Sequence, residues 1–172
     1  MNIFMTSGTP DFMTHLKDKY ANELMIVMHG EGNSLLLHET EGKTVFQTPR
    51  RYEVIGSSGT FEDNGYFVLN NIPVTDEGRP IFEQQFKKRA NMLDEEPGFI
   101  AFRLLRPLDS NMYIVMTEWS AAQYYTMWTN SSSFAQAHLD DQSEAGIDNT
   151  PHLFTSAASI TTYSATTKKD DA

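Results

Sequence analysis

Short apolar runs separated by turn-forming residues fill the first sixty positions. Residues 1–8 (MNIFMTSG) predict a short strand, and Thr9-Pro10-Asp11 a helix start with Thr9 as N-cap and Pro10 in the first turn. Apolar side chains at 12/13, 16 and 20 then share one helix face. ELMIVM (23–28) and SLLLH (34–38) predict two strands joined by the permissive turn Gly-Glu-Gly-Asn. Thr44–Thr48 predicts a strand ending at Pro49, Tyr52–Ile55 another, and Gly56-Ser57-Ser58-Gly59 a breaker.

From Gly65 the pattern is more regular. Tyr66–Val74 predicts a strand that Pro73 assigns to an edge or a bend. A helix capped by Thr75 or Asp76 follows, its apolar face formed by Phe82, Phe86, Ala90 and Leu93, with Lys87, Lys88 and Arg89 near its negative pole. Glu96-Pro97-Gly98 stops it. Phe99–Arg106 and Met112–Trp119 predict a hairpin around Pro107–Asn111. Two Ser-x-x-Gln boxes, at Ser120 and Ser133, predict two short helices with a break at Asn130-Ser-Ser-Ser. Ser159–Ala165 predicts a last β-branched strand and Thr166–Ala172 a frayed polar tail.

From residue 65 the order is therefore β-α-β-β-α-β, the ferredoxin-like split βαβ motif, with both helices on one face of an antiparallel sheet. Residues 1–64, read as β-α-β-β-β, predict a truncated ferredoxin-like half. The expected fold is α+β: domain 65–166, a half 1–64 covering its open sheet, a polar tail 167–172, and together a pseudo-dimeric α+β barrel that stays monomeric.

Composition narrows the chemistry. The 172 residues, 40 % hydrophobic and 21 % charged, suit a folded globular chain. The formal charge of −10 opposes nucleic acid and anionic membranes. The opening residues lack the features of a secretory signal and no apolar run is long enough to span a bilayer, so the expected location is the cytoplasm. With no cysteine, thiolate haem ligation, iron–sulfur clusters and covalent haem attachment are excluded. No phosphate-binding glycine loop or nucleophile elbow occurs.

The most suggestive stretch is Tyr113–His138, a strand leading into a helical segment with Trp128 and, ten residues later, His138. Taken alone, His138 reads as a surface or capping histidine, Trp128 as core, Asn70 as a strand-end residue, and Phe134 equally as core or as a ligand wall. His15, His29, His38 and His152 read as surface or structural, with His38-Glu39 and Glu41 in a solvated loop, and the methionines of the N-terminal part as gap-filling core.

Asn70 in VLNNI, the turn Glu96–Phe99 (EPGF), Thr117-Glu-Trp119, and Trp128 followed by His138 in FAQAH together resemble the antibiotic-biosynthesis-monooxygenase domain. Within it they resemble the IsdG-type haem-degrading monooxygenases, and the long, HmoB-like members in particular. The resemblance implies haem as both cofactor and substrate, O2, electrons from an external reductase, oxidative opening of the porphyrin, and release of iron. It makes His138 the proximal iron ligand, Trp128 the residue that presses on the porphyrin, Asn70 (or its neighbour Asn71) the distal hydrogen-bond donor, and Phe134 part of the haem wall. Arg79, Lys87, Arg103 and Arg106 are candidates for the propionates. A haem-buffering protein and a non-haem regulatory protein of the same fold are the rival readings.

Overall fold

The computed structural model describes residues 1–88, 91–131 and 156–165. Within them the strands are β1 (Asn2–Gly8), β2 (Leu24–His29), β3 (Ser34–Thr40), β4 (Arg50–Gly59), β5 (Tyr66–Pro73), β6 (Phe99–Pro107), β7 (Met112–Trp119) and β8 (Ser159–Ser164). The helices are α1 (Pro10–Lys19), α2 (Arg79–Lys87) and α3 (Ala122–Thr129). The order after residue 65 is the expected β-α-β-β-α-β.

The strands close into an antiparallel barrel in the order β1-β3-β2-β8-β5-β7-β6-β4. Read as two sets of four, β1-β3-β2-β8 and β5-β7-β6-β4 have the same internal layout. Each set takes its fourth strand from the other end of the chain: β8 pairs with β2, and β4 pairs with β6. Because strand side chains alternate between faces, one face of every strand enters the barrel. Ile3, Met5, Ile26, Met28, Leu35, Leu37, Phe67, Leu69, Leu105, Ile114 and Met116 fill it. The helices pack outside. Met13 of α1 meets Phe4, Met25, Leu36 and Phe46, while Phe82 of α2 meets Ile72, Leu104 and Tyr113.

Several local expectations are corrected. Thr44–Thr48 is a loop: the Thr44 hydroxyl accepts from Phe46 N–H at 3.1 Å and meets His38 Nδ1 at 3.0 Å, which turns the chain and drops Phe46 into the α1 cluster. Gly56–Gly59 continues β4, with a bulge between Val54 and Gly56, because Gly56 lies directly against Leu104 of β6. β5 is interior, flanked by β7 and β8, and Pro73 ends it without bending it. α2 stops at Lys87, and Leu93 reaches the core from the following turns. Its N-cap is Gly78, whose N–H donates to Thr75 Oγ1, and that of α3 is Ala121. His38 and Glu39 are 0 % and 8 % exposed and so are not loop residues. The His38 ring bridges Glu23 Oε1 (2.7 Å) and Thr44. Among the described residues no helix is long and apolar enough to cross a membrane.

Glu118 points into the barrel and is wholly buried. Its Oε1 accepts Glu62 N–H at 2.9 Å, while Oε2 has no partner among the described residues. Desolvation, aided by the charges of Glu62 and Asp63, pushes this carboxyl up to about 8 against the opposing pull of the nearby Glu62 and Gly65 backbone. A raised folded-state value means the carboxyl favours the fold while protonated. Stability is therefore expected to fall as pH rises from the unfolded value near 4.5 through about 8. Melting temperatures at pH 5 and pH 9 check this: Glu118→Gln is expected to flatten the difference, and an unchanged pH profile would refute the assignment.

Candidate functional site

The helix-covered outer face of β5, β7 and β6 carries the candidate site. On β5, Phe67 and Leu69 enter the barrel, so Val68, Asn70 and Ile72 face outward. Register places Asn70 between Ile160 of β8 and Val115 of β7, with Leu104 of β6 beyond.

Two aromatic clusters flank this row. On one side Phe82 and Phe86 of α2 stack at 4.6 Å, and Phe82 meets Tyr113 at 4.7 Å. On the other, Trp119 meets Phe99 at 5.7 Å, Tyr125 at 6.0 Å and Trp128 at 5.7 Å. The row between them is only partly covered: Asn70 and Val115 are half-buried and Ile160 is 56 % exposed. The Asn70 amide has no hydrogen-bond partner among the described residues. Asn71, one residue on, is engaged instead, donating to Thr161 Oγ1 at 3.2 Å and Leu69 O at 3.3 Å. That difference favours Asn70 over Asn71 as the amide available to a ligand.

Trp128 is half-buried on α3, a helix that buries none of its own residues completely. Its indole is aligned by Trp119, which is itself fixed by a 2.9 Å hydrogen bond from Nε1 to Thr117 Oγ1. Thr117 and Trp119 therefore position the wall. The alternation of Tyr113, Val115, Thr117 and Trp119 along β7 is the sequence signal that groups them on one face. Phe134 and His138 lie outside the described residues.

The basic candidates separate by location. Arg103 points into the barrel and pairs with buried Glu39 at 2.8 Å, so it is removed from this face. Arg106 is on the outer face but holds Glu83 of α2 through two hydrogen bonds of 2.7 and 2.8 Å, and Glu53 of β4 at 2.8 Å. The Arg106 guanidinium keeps the Glu83 carboxyl below the usual range. The Tyr113 hydroxyl also donates to Glu83, and burial followed by that carboxylate pushes the phenol up. This network ties α2 to the sheet. Arg79 donates to Ser110 O at 2.6 Å and lies over the Tyr113 ring. Lys87 is the last residue of α2.

The arrangement is a half-buried apolar row flanked by two aromatic clusters, with an Asn70 amide that has no partner among the described residues, chemistry suited to a flat hydrophobic ligand bearing a polar centre. Among the described residues no three metal-ligating side chains converge.

Residues 65–139 match the family described as antibiotic biosynthesis monooxygenase. The chain is 27 % identical over 129 residues to a heme-degrading monooxygenase of Listeria monocytogenes, covering 75 % of this chain and 77 % of that one. It is 26 % identical over 113 residues to the signal transduction protein TRAP of Staphylococcus epidermidis, covering 66 % and 68 %. Among solved structures, a major regulator of staphylococcal pathogenesis superposes with a TM-score of 0.81 at 21 % identity, over 98 % of this chain and 100 % of that one.

Proposed function

We propose that this chain, whose residues 65–139 match the family described as antibiotic biosynthesis monooxygenase, is a haem-degrading monooxygenase. It binds haem through His138 and opens the porphyrin oxidatively with O2 and electrons from an external reductase, releasing iron. The single observation that carries this reading is the Asn70 amide, without a hydrogen-bond partner among the described residues, on a row bounded by the Trp119–Trp128 and Phe82–Phe86 clusters.

The residues present fit the group. Trp128, backed by Trp119, offers an apolar plate for a macrocycle and keeps water from its face. Asn70 donates an N–H toward the polar centre, where a positioned amide stabilises developing negative charge. His138 supplies a neutral imidazole, the usual uncharged haem ligand. Bound haem supplies the oxygen chemistry itself. We further propose that residues 1–64 stand in for a second subunit and that the chain is monomeric in the cytoplasm. The exchanged strands β4 and β8 support this, and a light-scattering mass of one chain is the check.

Haemin titration followed by ascorbate in air tests the function: a shifted Soret band that decays to a new chromophore is expected. Asn70→Ala is expected to keep haemin affinity within about threefold while slowing decay by roughly tenfold or more, since one such donor acts mainly on developing charge. Equal decay in mutant and parent would remove Asn70 from the site. The second reading is a non-haem regulatory protein of the same fold. It is favoured by the likeness to the staphylococcal regulator and requires that haemin leave the Soret band unshifted.

A further inference from the structure

The segment Glu96-Pro97-Gly98-Phe99, which leads into β6, folds as a tight turn. Phe99 N–H donates to Glu96 O at 3.2 Å, Pro97 occupies the second position, and Gly98 takes a φ of +77° at the third, the arrangement of a type II turn. Any side chain at position 98 would strain this backbone.

The turn meets the β7–α3 region at three points. Gly98 O accepts Ser120 N–H at 2.7 Å, just beyond the end of β7. The Phe99 ring meets Trp119 edge-on at 5.7 Å. At the third point there is no spare room: a methyl group on Gly98 would lie 2.5 Å from both Cβ and Cδ2 of Tyr124 on α3. Because Cβ is the base of the side chain, turning the ring gives no relief. The helix itself would have to retreat by about 1 Å to restore ordinary contact.

That retreat would reach the candidate site. Tyr124 and Trp128 are spaced i and i+4 on α3, so they share one helix face. Both pack, with Tyr125, on the cluster of Val68, Leu93 and Trp119. A helix of only eight residues carries a displacement at Tyr124 on to Trp128, whose indole lies 5.7 Å from that of Trp119. The Glu96–Phe99 turn thus acts on the wall through α3, as Thr117 acts on it through Trp119.

We propose that Gly98 is a positioning residue of the candidate site: its bare Cα seats Tyr124, and that seat fixes where α3 holds Trp128. The inference rests on the reading of Trp128 as the plate for a flat ligand. A side chain at position 98 then displaces the plate without touching it.

The chain has two tryptophans, so a nitrogen-labelled, haem-free sample gives two indole N–H signals, which Trp128→Phe assigns. Gly98→Ala is expected to move the Trp128 signal while the amide signals of β1 and β3, in the other set of four strands, keep their places. A folded Gly98→Ala chain with an unmoved Trp128 signal would overturn the proposal, since a loss of stability alone leaves the folded spectrum unchanged. Adding Tyr124→Ala removes the ring that the methyl group meets. In that double variant the Trp128 signal is expected where Tyr124→Ala alone puts it, because the two substitutions act through one contact. Should Gly98→Ala not fold, the double variant is expected to fold. A double variant that also fails, or whose Trp128 signal departs from that of Tyr124→Ala, would place the need for glycine in the turn backbone alone and sink the idea. With haemin and ascorbate in air, Gly98→Ala is expected to slow decay by about tenfold or more, since a misplacement of about 1 Å can cost roughly a hundredfold. If the parent chain leaves the Soret band unshifted, the haem reading falls, while the indole signals still decide the seat.

Discussion

Haemin added to a His138→Ala chain is expected to give no ligand-shifted Soret band, and ascorbate-driven decay is expected to fall by roughly a hundredfold or more. The size follows from chemistry: removing even a hydrogen-bond partner of a metal-binding histidine costs about 10–100-fold, and on the proposed reading the substitution removes the ligand itself. His15→Ala serves as the control, since His15 lies on α1, which packs against the β1–β2–β3 side of the barrel. Its titration is expected to overlay that of the parent. Added imidazole is expected to restore the band in the His138→Ala chain, because the aromatic plate of Trp119 and Trp128 is left intact. A His138→Ala chain that still shifts the band and degrades haemin would transfer the ligand role elsewhere.

The second large effect concerns stability and needs no haem. Glu39→Ala is expected to destabilise the fold by about 3–5 kcal/mol in urea unfolding, the usual cost of stranding one partner of a buried ion pair. Glu39 on β3 and Arg103 on β6 face each other inside the barrel, with side chains 6 % and 7 % exposed. Arg103 Nη1 also donates to the carbonyls of Ser58, Gly59 and Phe102, and the guanidinium sits 4.5 Å from the centre of the Phe61 ring. Those contacts hold the cation in place but cannot neutralise it. Glu39→Leu with Arg103→Met is expected to recover most of the loss, since apolar packing often replaces a buried pair without penalty. A Glu39→Ala chain within about 1 kcal/mol of the parent would mean that water reaches the guanidinium.

Much of the architecture was legible from local pattern. Alternating apolar runs and turn residues placed β1, β2, β3, β5 and the β6–β7 hairpin, and the helical spacing of Phe82 and Phe86 placed α2. What was misread depended on partners distant in sequence. The apolar Val45 and Phe46 suggested a strand, yet Phe46 is drawn out of extended geometry to fill the gap over Met25 and Leu36. Gly56–Gly59 looks like a breaker because its residues pack nothing of their own; Leu104 and Phe102 of β6 supply the contact. His38 and Glu39 looked solvated because their partners, Glu23, Thr44 and Arg103, lie up to 64 positions away.

The candidate site divides the same way. Alternation along β5 shows which way Asn70 faces, and the resemblance chose it for a role. Its place between two aromatic clusters exists only once α2 and α3 are set on the sheet. Arg103, a propionate candidate by charge alone, proved to be an interior residue for the same reason.

The exchanged strands bear on how the chain is made. Synthesis delivers β1 to β4 well before β6, so on a ribosome the β4 edge waits for about forty further residues to emerge. The barrel then closes through β2 and β8, whose paired residues His29 and Ser164 are near opposite ends of the chain. Long-range pairing of this kind slows folding toward the millisecond-to-second regime of β-rich topologies. Until β8 arrives, β2 offers an apolar edge on which a neighbouring chain can add a strand.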